Sequence, residues 1–154
     1  RRGQVLSTLW LGLLEAEEGD ARARGSLERA IGLARDIAFY RAEALSLALF
    51  ARLLRLAGDL AGAERESALA LELVARHGAE LSDRIVIAGT HALLLGELGR
   101  VPEQKRVLAE LEQRTRASQK ALRQRELREA QMGYAERLLA AALSPEGPVF
   151  PRKR

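Results

Sequence analysis

The stretch Ala48-Leu49-Phe50-Ala51-Arg52-Leu53-Leu54-Arg55-Leu56-Ala57-Gly58-Asp59-Leu60-Ala61-Gly62-Ala63-Glu64-Arg65 decides how the chain is read. Its apolar residues up to Ala57 fall at helical spacing, and the run stops at Gly58. The position after a helix end favours the left-handed backbone, which glycine adopts at little steric cost. Asp59 then offers a carboxylate to the first free amides of a following helix. The stretch predicts helix, tight turn, helix.

The same punctuation recurs on both sides. Leu14-Glu15-Ala16-Glu17-Glu18-Gly19-Asp20 places its glycine 39 residues before Gly58, and Leu95-Gly96-Glu97-Leu98-Gly99-Arg100 places Gly99 41 residues after it. A period of this size marks a repeat architecture. The predicted units run from Val5 to Glu18 and Ala21 to Ala38, from Ala42 to Ala57 and Ala61 to His77, and from Ser82 to Leu98 and Pro102 to about Ser118. Asp20 and Asp59 are candidate caps, and Pro102 suits a first helical turn. Seven residues before each turn glycine stands a small residue, Gly12, Ala51 or Ala92, where a second helix can approach closely. Ala63 and Ala70 in the middle unit are the facing positions, as are Ala23, Leu27 and Ala30 in the first if its second helix starts one residue earlier. Ile85-Val86-Ile87 has the look of a short strand, but Ala88, Ala92 and Leu95 continue it at helical spacing.

Composition agrees. Of 154 residues 29 are Leu and 27 are Ala, the strongest apolar helix formers, and Pro is confined to Pro102 and the last ten residues. The chain is expected to be all-α. With no cysteine, disulfides and thiolate metal sites are excluded by arithmetic. The net charge of +4 is too small, and the 47% apolar content too high, for a disordered chain. Most of the basic residues are Arg, which lifts the isoelectric point without a dense basic face. The chain begins Arg1-Arg2-Gly3 without an initiator Met, so it reads as a processed product or a piece of a longer protein. Glu15, Glu17 and Glu18 directly after the apolar run argue against an export signal. Uncharged runs reach only 12 residues, as in Ile85 to Gly96, too few to span a bilayer. A soluble cytoplasmic protein is expected.

In Ala51, Gly58-Asp59, Ala63 and Ala70, with Gly12, Gly19, Asp20, Ala92 and Gly99 in the outer units, the chain resembles the tetratricopeptide-repeat family. The period of about 40 is most like the longer repeats of MalT-like bacterial regulators. The pattern departs from the family in lacking a closing Pro, in holding Thr8, Leu47 or Ala88 at the tryptophan-like position, and in holding Gln104 where a small residue belongs. The resemblance implies a right-handed superhelical stack of helix-turn-helix repeats within residues 1–143. It implies a non-catalytic protein–protein interaction scaffold, the docking or sensing repeats of a larger bacterial signalling or transcription regulator. In the family register the concave, partner-facing residues are Leu9, Leu13, Arg52, Arg55, Leu93 and Glu97, with Arg52 and Arg55 placed to fork a carboxylate of a protein or peptide partner.

The C-terminal third adds two expectations. Leu127, Ala130, Tyr134, Leu138 and Ala141 suggest a helix over 117–143 that caps the stack, and Ser144-Pro145-Glu146-Gly147-Pro148 opens a flexible basic tail over 144–154. Between Gln113 and Arg128 six cations face a single acid, Glu126, and Arg116, Lys120 and Arg123 share one helical stripe. A nucleic-acid-binding adaptor using residues 114–128 is the alternative reading, disfavoured because no aromatic interleaves to stack on bases.

No enzyme is expected. There is no phosphate-cradling loop, no serine elbow, and only His77 and His91 as imidazoles, without carboxylates at metal-ligand spacing, so neither cofactor nor metal is expected. The pairs Glu15 with Glu18 and Glu126 with Glu129 read as surface charges, and His91 as a packed, hydrogen-bonded histidine. The apolar Leu6, Leu9, Trp10 and Leu13 near the start suggest an edge that self-associates.

Overall fold

The computed structural model describes the backbone of residues 1–142 and the side chains of residues 1–132, and these residues are all-α. Helix follows helix with little between: α1 (Arg2–Glu17), α2 (Ala23–Asp36), α3 (Tyr40–Leu56), α4 (Leu60–His77), α5 (Leu81–Glu97) and α6 (Val101–Ala142). The chain divides into two compact units, residues 1–113 and residues from 114 onward. In the first, α3 is central and packs on α1, α2, α4 and α5.

One hydrogen-bonded turn closes helix after helix. Gly19, Gly58 and Gly99 have φ of 72°, 85° and 73°. Behind each, the next residue donates back across six residues: Asp20 N–H to the Glu15 carbonyl at 2.8 Å, Asp59 to Leu54 at 2.9 Å, Arg100 to Leu95 at 2.8 Å. This is the Schellman arrangement, which satisfies carbonyls that a helix end leaves unpaired. Asp59 caps α4 as expected, accepting from Gly62 N–H at 2.8 Å. Asp20 instead accepts from Arg22 N–H, so it closes the turn ahead of α2 rather than capping the helix itself.

The α2–α3 connection repeats the scheme without a glycine. Phe39 N–H donates to the Ala34 carbonyl at 2.8 Å, and Ala38 carries φ of 50°. An L-residue pays roughly 1–2 kcal/mol for that conformation. Ala38→Gly should therefore stabilise the fold by about 0.5–1 kcal/mol in urea unfolding, because the relieved strain exceeds the added chain entropy.

The small positions are buried between helices. Ala51, Ala63 and Ala70 are fully buried, as are Ala23, Leu27 and Ala30, and Ala92 is nearly so. A Cβ on Gly12 would lie 2.9 Å from Leu27 Cγ and 3.2 Å from its backbone nitrogen, so the crossing of α1 and α2 needs a residue without a side chain. In the third unit the small residue has moved to the opposite helix. A Cβ on Gly96 would fall 2.6 Å from Gln104 Nε2, so glycine on α5 makes the room that Gln104 on α6 takes up. The main core joins Leu9, Leu27, Leu47, Leu54, Ile87 and Leu94 across α1, α2, α3 and α5. Ile85-Val86-Ile87 is helical, within α5.

Two ion-pair sets fasten α5 to α3. Arg41 Nε lies 2.6 Å from Asp83 Oδ2 and its Nη1 lies 2.8 Å from Glu80 Oε1, while Arg55 Nη1 lies 2.5 Å from Glu97 Oε1. Arg41 and Arg55 each reach an acid 42 residues on, close to the spacing of the turn glycines.

The C-terminal expectation needs correcting. No break separates a helix over 102–118 from a capping helix over 117–143; both belong to α6, which runs unbroken from Val101 to Ala142 with Pro102 in its first turn. The cause is compositional. Between Glu103 and Met132 there is neither Gly nor Pro, and Ala, Leu, Arg, Gln and Glu dominate. Its residues 117–132 are exposed throughout, Leu127 (63%) and Ala130 included. The side chains of Tyr134, Leu138 and Ala141 and the expected tail over 144–154 lie outside the described residues. Among the described residues no helix is long and apolar enough to cross a membrane.

Candidate functional site: a groove between α1 and α3

Successive turns of α3 set Leu49, Leu53 and Leu56 along one face, at i, i+4 and i+7. Opposite, α1 presents Leu13 and Glu17, and Arg52 stands on the α3 wall, so that an open apolar groove is bounded by one cation and one anion. Leu53 is half-buried, Leu56 is exposed (68%), and Arg52 is exposed, with no ion pair among the described residues. The groove offers apolar contact along its floor and a guanidinium at its rim.

The six expected partner-facing residues separate into groups. Leu13 and Arg52 are brought together in this groove. Leu9 is not part of it: only 2% exposed, it is a core residue, because Val5, Leu9 and Gly12 form the stripe that α1 buries. Arg55 and Glu97 are taken up by each other, so the expected fork of Arg52 and Arg55 is not open to a carboxylate. Leu93 is exposed on α5 (59%). Leu49, Leu53, Leu56 and Glu17 escaped the family register, although the i, i+4, i+7 spacing on α3 was a visible signal for the leucines.

A second hollow, floored by Leu47, Leu69 and Leu73, is rimmed by charges that already neutralise one another: Arg35 Nε lies 2.9 Å from Glu43 Oε1, and Arg76 pairs with Glu72. Glu15 is a correction. It is buried rather than a surface charge; its Oε1 lies 3.8 Å from Arg22 Nε, and its Oε2 has no hydrogen-bond partner among the described residues. Glu129 pairs with Arg125 at i, i+4, as the surface reading of that pair requires.

His91 is half-buried where α5 meets α4, with Nδ1 2.8 Å from Ser67 Oγ. Ser67 is buried and its hydroxyl donates to the Glu64 carbonyl, so it is a bridge between helices rather than an exposed nucleophile. Burial holds the His91 pKa below its ordinary 6.5, against the attraction of Glu64 and Glu103 and with the repulsion of Arg100. The fold thus prefers the neutral ring. Below pH 6.5 the unfolded chain takes up the proton first, so this contribution is present above that value and lost as the pH falls. The thermal midpoint should fall between pH 7 and 5, and fall less in His91→Gln; equal falls in both proteins would contradict the assignment.

Arg100 joins Glu64 of α4 to Glu103 of α6; bonding to Arg100 holds the Glu103 carboxyl below its usual range. Among the described residues no three His, Cys, Asp or Glu side chains gather as metal ligands would. Arg116, Lys120 and Arg123 lie along one side of an exposed stretch of α6. Comparison with family models, with curated proteins and with solved structures finds no match to this chain.

Proposed function

We propose that the first unit is a stack of tetratricopeptide-like helix pairs with a right-handed superhelical course, acting as a non-catalytic protein-interaction module. The groove between α1 and α3 carries the reading: an open row of leucines with, at its edge, an exposed arginine that has no ion pair among the described residues. Three helix pairs closed by the same turn, and the contacts of α3 with both α1 and α5, support the repeat arrangement. The groove suits an extended or helical peptide that inserts a leucine-like side chain and sets a carboxylate against Arg52. The resemblance to MalT-like repeats supports placing such a module in a larger bacterial regulator, in the cytoplasm.

The test is binding of a fluorescent panel of acidic, leucine-containing peptides. Arg52→Glu should weaken binding tenfold or more, about 1.4 kcal/mol. Arg29→Glu, on the exposed side of α2, should leave it unchanged. Equal binding by the native chain and Arg52→Glu would overturn the reading. The alternative, a nucleic-acid adaptor, draws on the exposed stripe of Arg116, Lys120 and Arg123. It requires an affinity for DNA or RNA that falls linearly in log salt.

A further inference from the structure

The outward face of α1 carries Gly3, Leu6, Ser7, Trp10, Leu11 and Leu14, and no charge occurs between Arg2 and Glu15. Leu6, Trp10, Leu11 and Leu14 are 38%, 58%, 50% and 56% exposed, an apolar patch unlike an ordinary solvated helix face.

Register with the other units shows what kind of surface this is. Shifting by the spacings of the turn glycines, 39 and then 41, places Gly3 with Ala42 and Asp83, Leu11 with Phe50 and His91, and Leu14 with Leu53 and Leu94. Five of these counterparts, Ala42, Phe50, Leu53, Asp83 and His91, are turned toward the helix pair before them, and Leu94 is buried. Ala42 clusters with Val5 and Ala34; Arg24 of α2 lies 5.6 Å from the Phe50 ring centroid; Leu53 stands beside Leu13 and Ala16. In the third unit Asp83 bonds Arg41 of α3 and His91 bonds Ser67 of α4. Ser7 corresponds to Ser46 and Ile87, both buried. The exposed face of α1 is therefore the stacking face of its unit.

We infer that this face is an interface between two copies of the chain, paired antiparallel through α1 about a twofold axis. Pairing centred between Thr8 and Leu9 sets Gly3 against Leu14 of the second copy and Ser7 against its Trp10, small opposite large, with Leu6 and Leu11 of the two copies meeting as an apolar pair. Charge selects the same direction. Arg1 and Arg2 precede the apolar face and Glu18 follows it, so antiparallel pairing brings the basic end to the acidic end, whereas parallel pairing sets like on like. The helix dipoles favour the same choice. The inference stands apart from the groove, since neither Arg52 nor a peptide enters it.

The chain has a single tryptophan and no cysteine, which makes the interface directly readable. On raising the concentration, sedimentation should show the mass doubling from 16.9 kDa, with a blue shift of Trp10 emission over the same range. Leu14→Glu, at a site already solvent-exposed, should hold the mass at one chain with the emission unshifted and the far-ultraviolet dichroism native. Direction is read by oxidative trapping. Gly3→Cys, which meets open space, and Leu14→Cys should cross-link when mixed and not singly, because like residues lie about 16 Å apart along an antiparallel pair. A chain that stays monomeric at every concentration overturns the inference. So does a dimer unaffected by Leu14→Glu, or one that cross-links Gly3→Cys to itself.

Discussion

Gly12→Val is expected to destabilise the protein by about 2–3 kcal/mol, the cost of overpacking a close helix crossing. At this chain length that is a fall of about 5–10 °C in Tm. The estimate follows from what the new side chain meets. Its Cβ alone would lie 2.9 Å from both Leu27 Cγ and Cδ2, and Leu27 is completely buried. The backbone nitrogen of Leu27 at 3.2 Å closes the other escape, since moving it means moving α2. Helix propensity works the other way, because replacing an interior glycine by alanine gains about 1 kcal/mol. Gly12→Ala should accordingly lose less than the valine variant, about 1 kcal/mol net. Leu27→Ala alone should cost about 2–5 kcal/mol. If the clash is the cause, the double variant Gly12→Val, Leu27→Ala should lose at least about 1 kcal/mol less than the sum of the singles. Strict additivity in urea unfolding would show that the crossing of α1 and α2 is not what constrains position 12.

Arg41→Met is expected to cost about 2–3 kcal/mol, because it strands a buried carboxylate. Asp83 is only 5% exposed and takes a 2.6 Å bond from Arg41 Nε. The guanidinium itself is half exposed and shared with Glu80, so solvent screens part of the loss and the effect falls below that of a fully enclosed pair. Adding Asp83→Leu to Arg41→Met should restore most of the stability, since an apolar pair needs no compensation there. Denaturant midpoints of the two single variants and the double close the cycle. A loss under about 0.5 kcal/mol for Arg41→Met would place this pair with ordinary surface ion pairs.

What the sequence shows of this molecule is what is local. Gly19, Gly58 and Gly99, the cap at Asp59 and the small residues seven positions ahead of each turn could be read directly, since each is fixed by its own helix end. Ala38 could not, because its turn has the geometry of the glycine turns and none of their composition. The ion pairs of Arg41 with Asp83 and Arg55 with Glu97 join residues 42 apart, and they come into view only once the period and the facing sides of α3 and α5 are both known. That gap also explains the groove. Leu13 and Arg52, named together from the sequence, do line one groove, but Leu9, one turn earlier on the same helix, lies on the buried side, a difference of helix rotation that apolar spacing alone does not settle. The reach of α6 was missed for the opposite reason: its apolar positions suggested two helices, and uninterrupted helix formers made one.

Because every helix of α1 to α5 touches only its sequence neighbours or the next but one, assembly of this unit needs no contact between distant parts of the chain. Such a topology has low contact order and closes only short loops, which favours rapid folding. The α3–α4 hairpin, bounded by buried Ala51, Ala63 and Ala70, is the natural nucleus, with α2 and α5 condensing on either side of it. Growth outward from a middle pair leaves α1 among the last elements to dock and, by the same logic, among the first to fray.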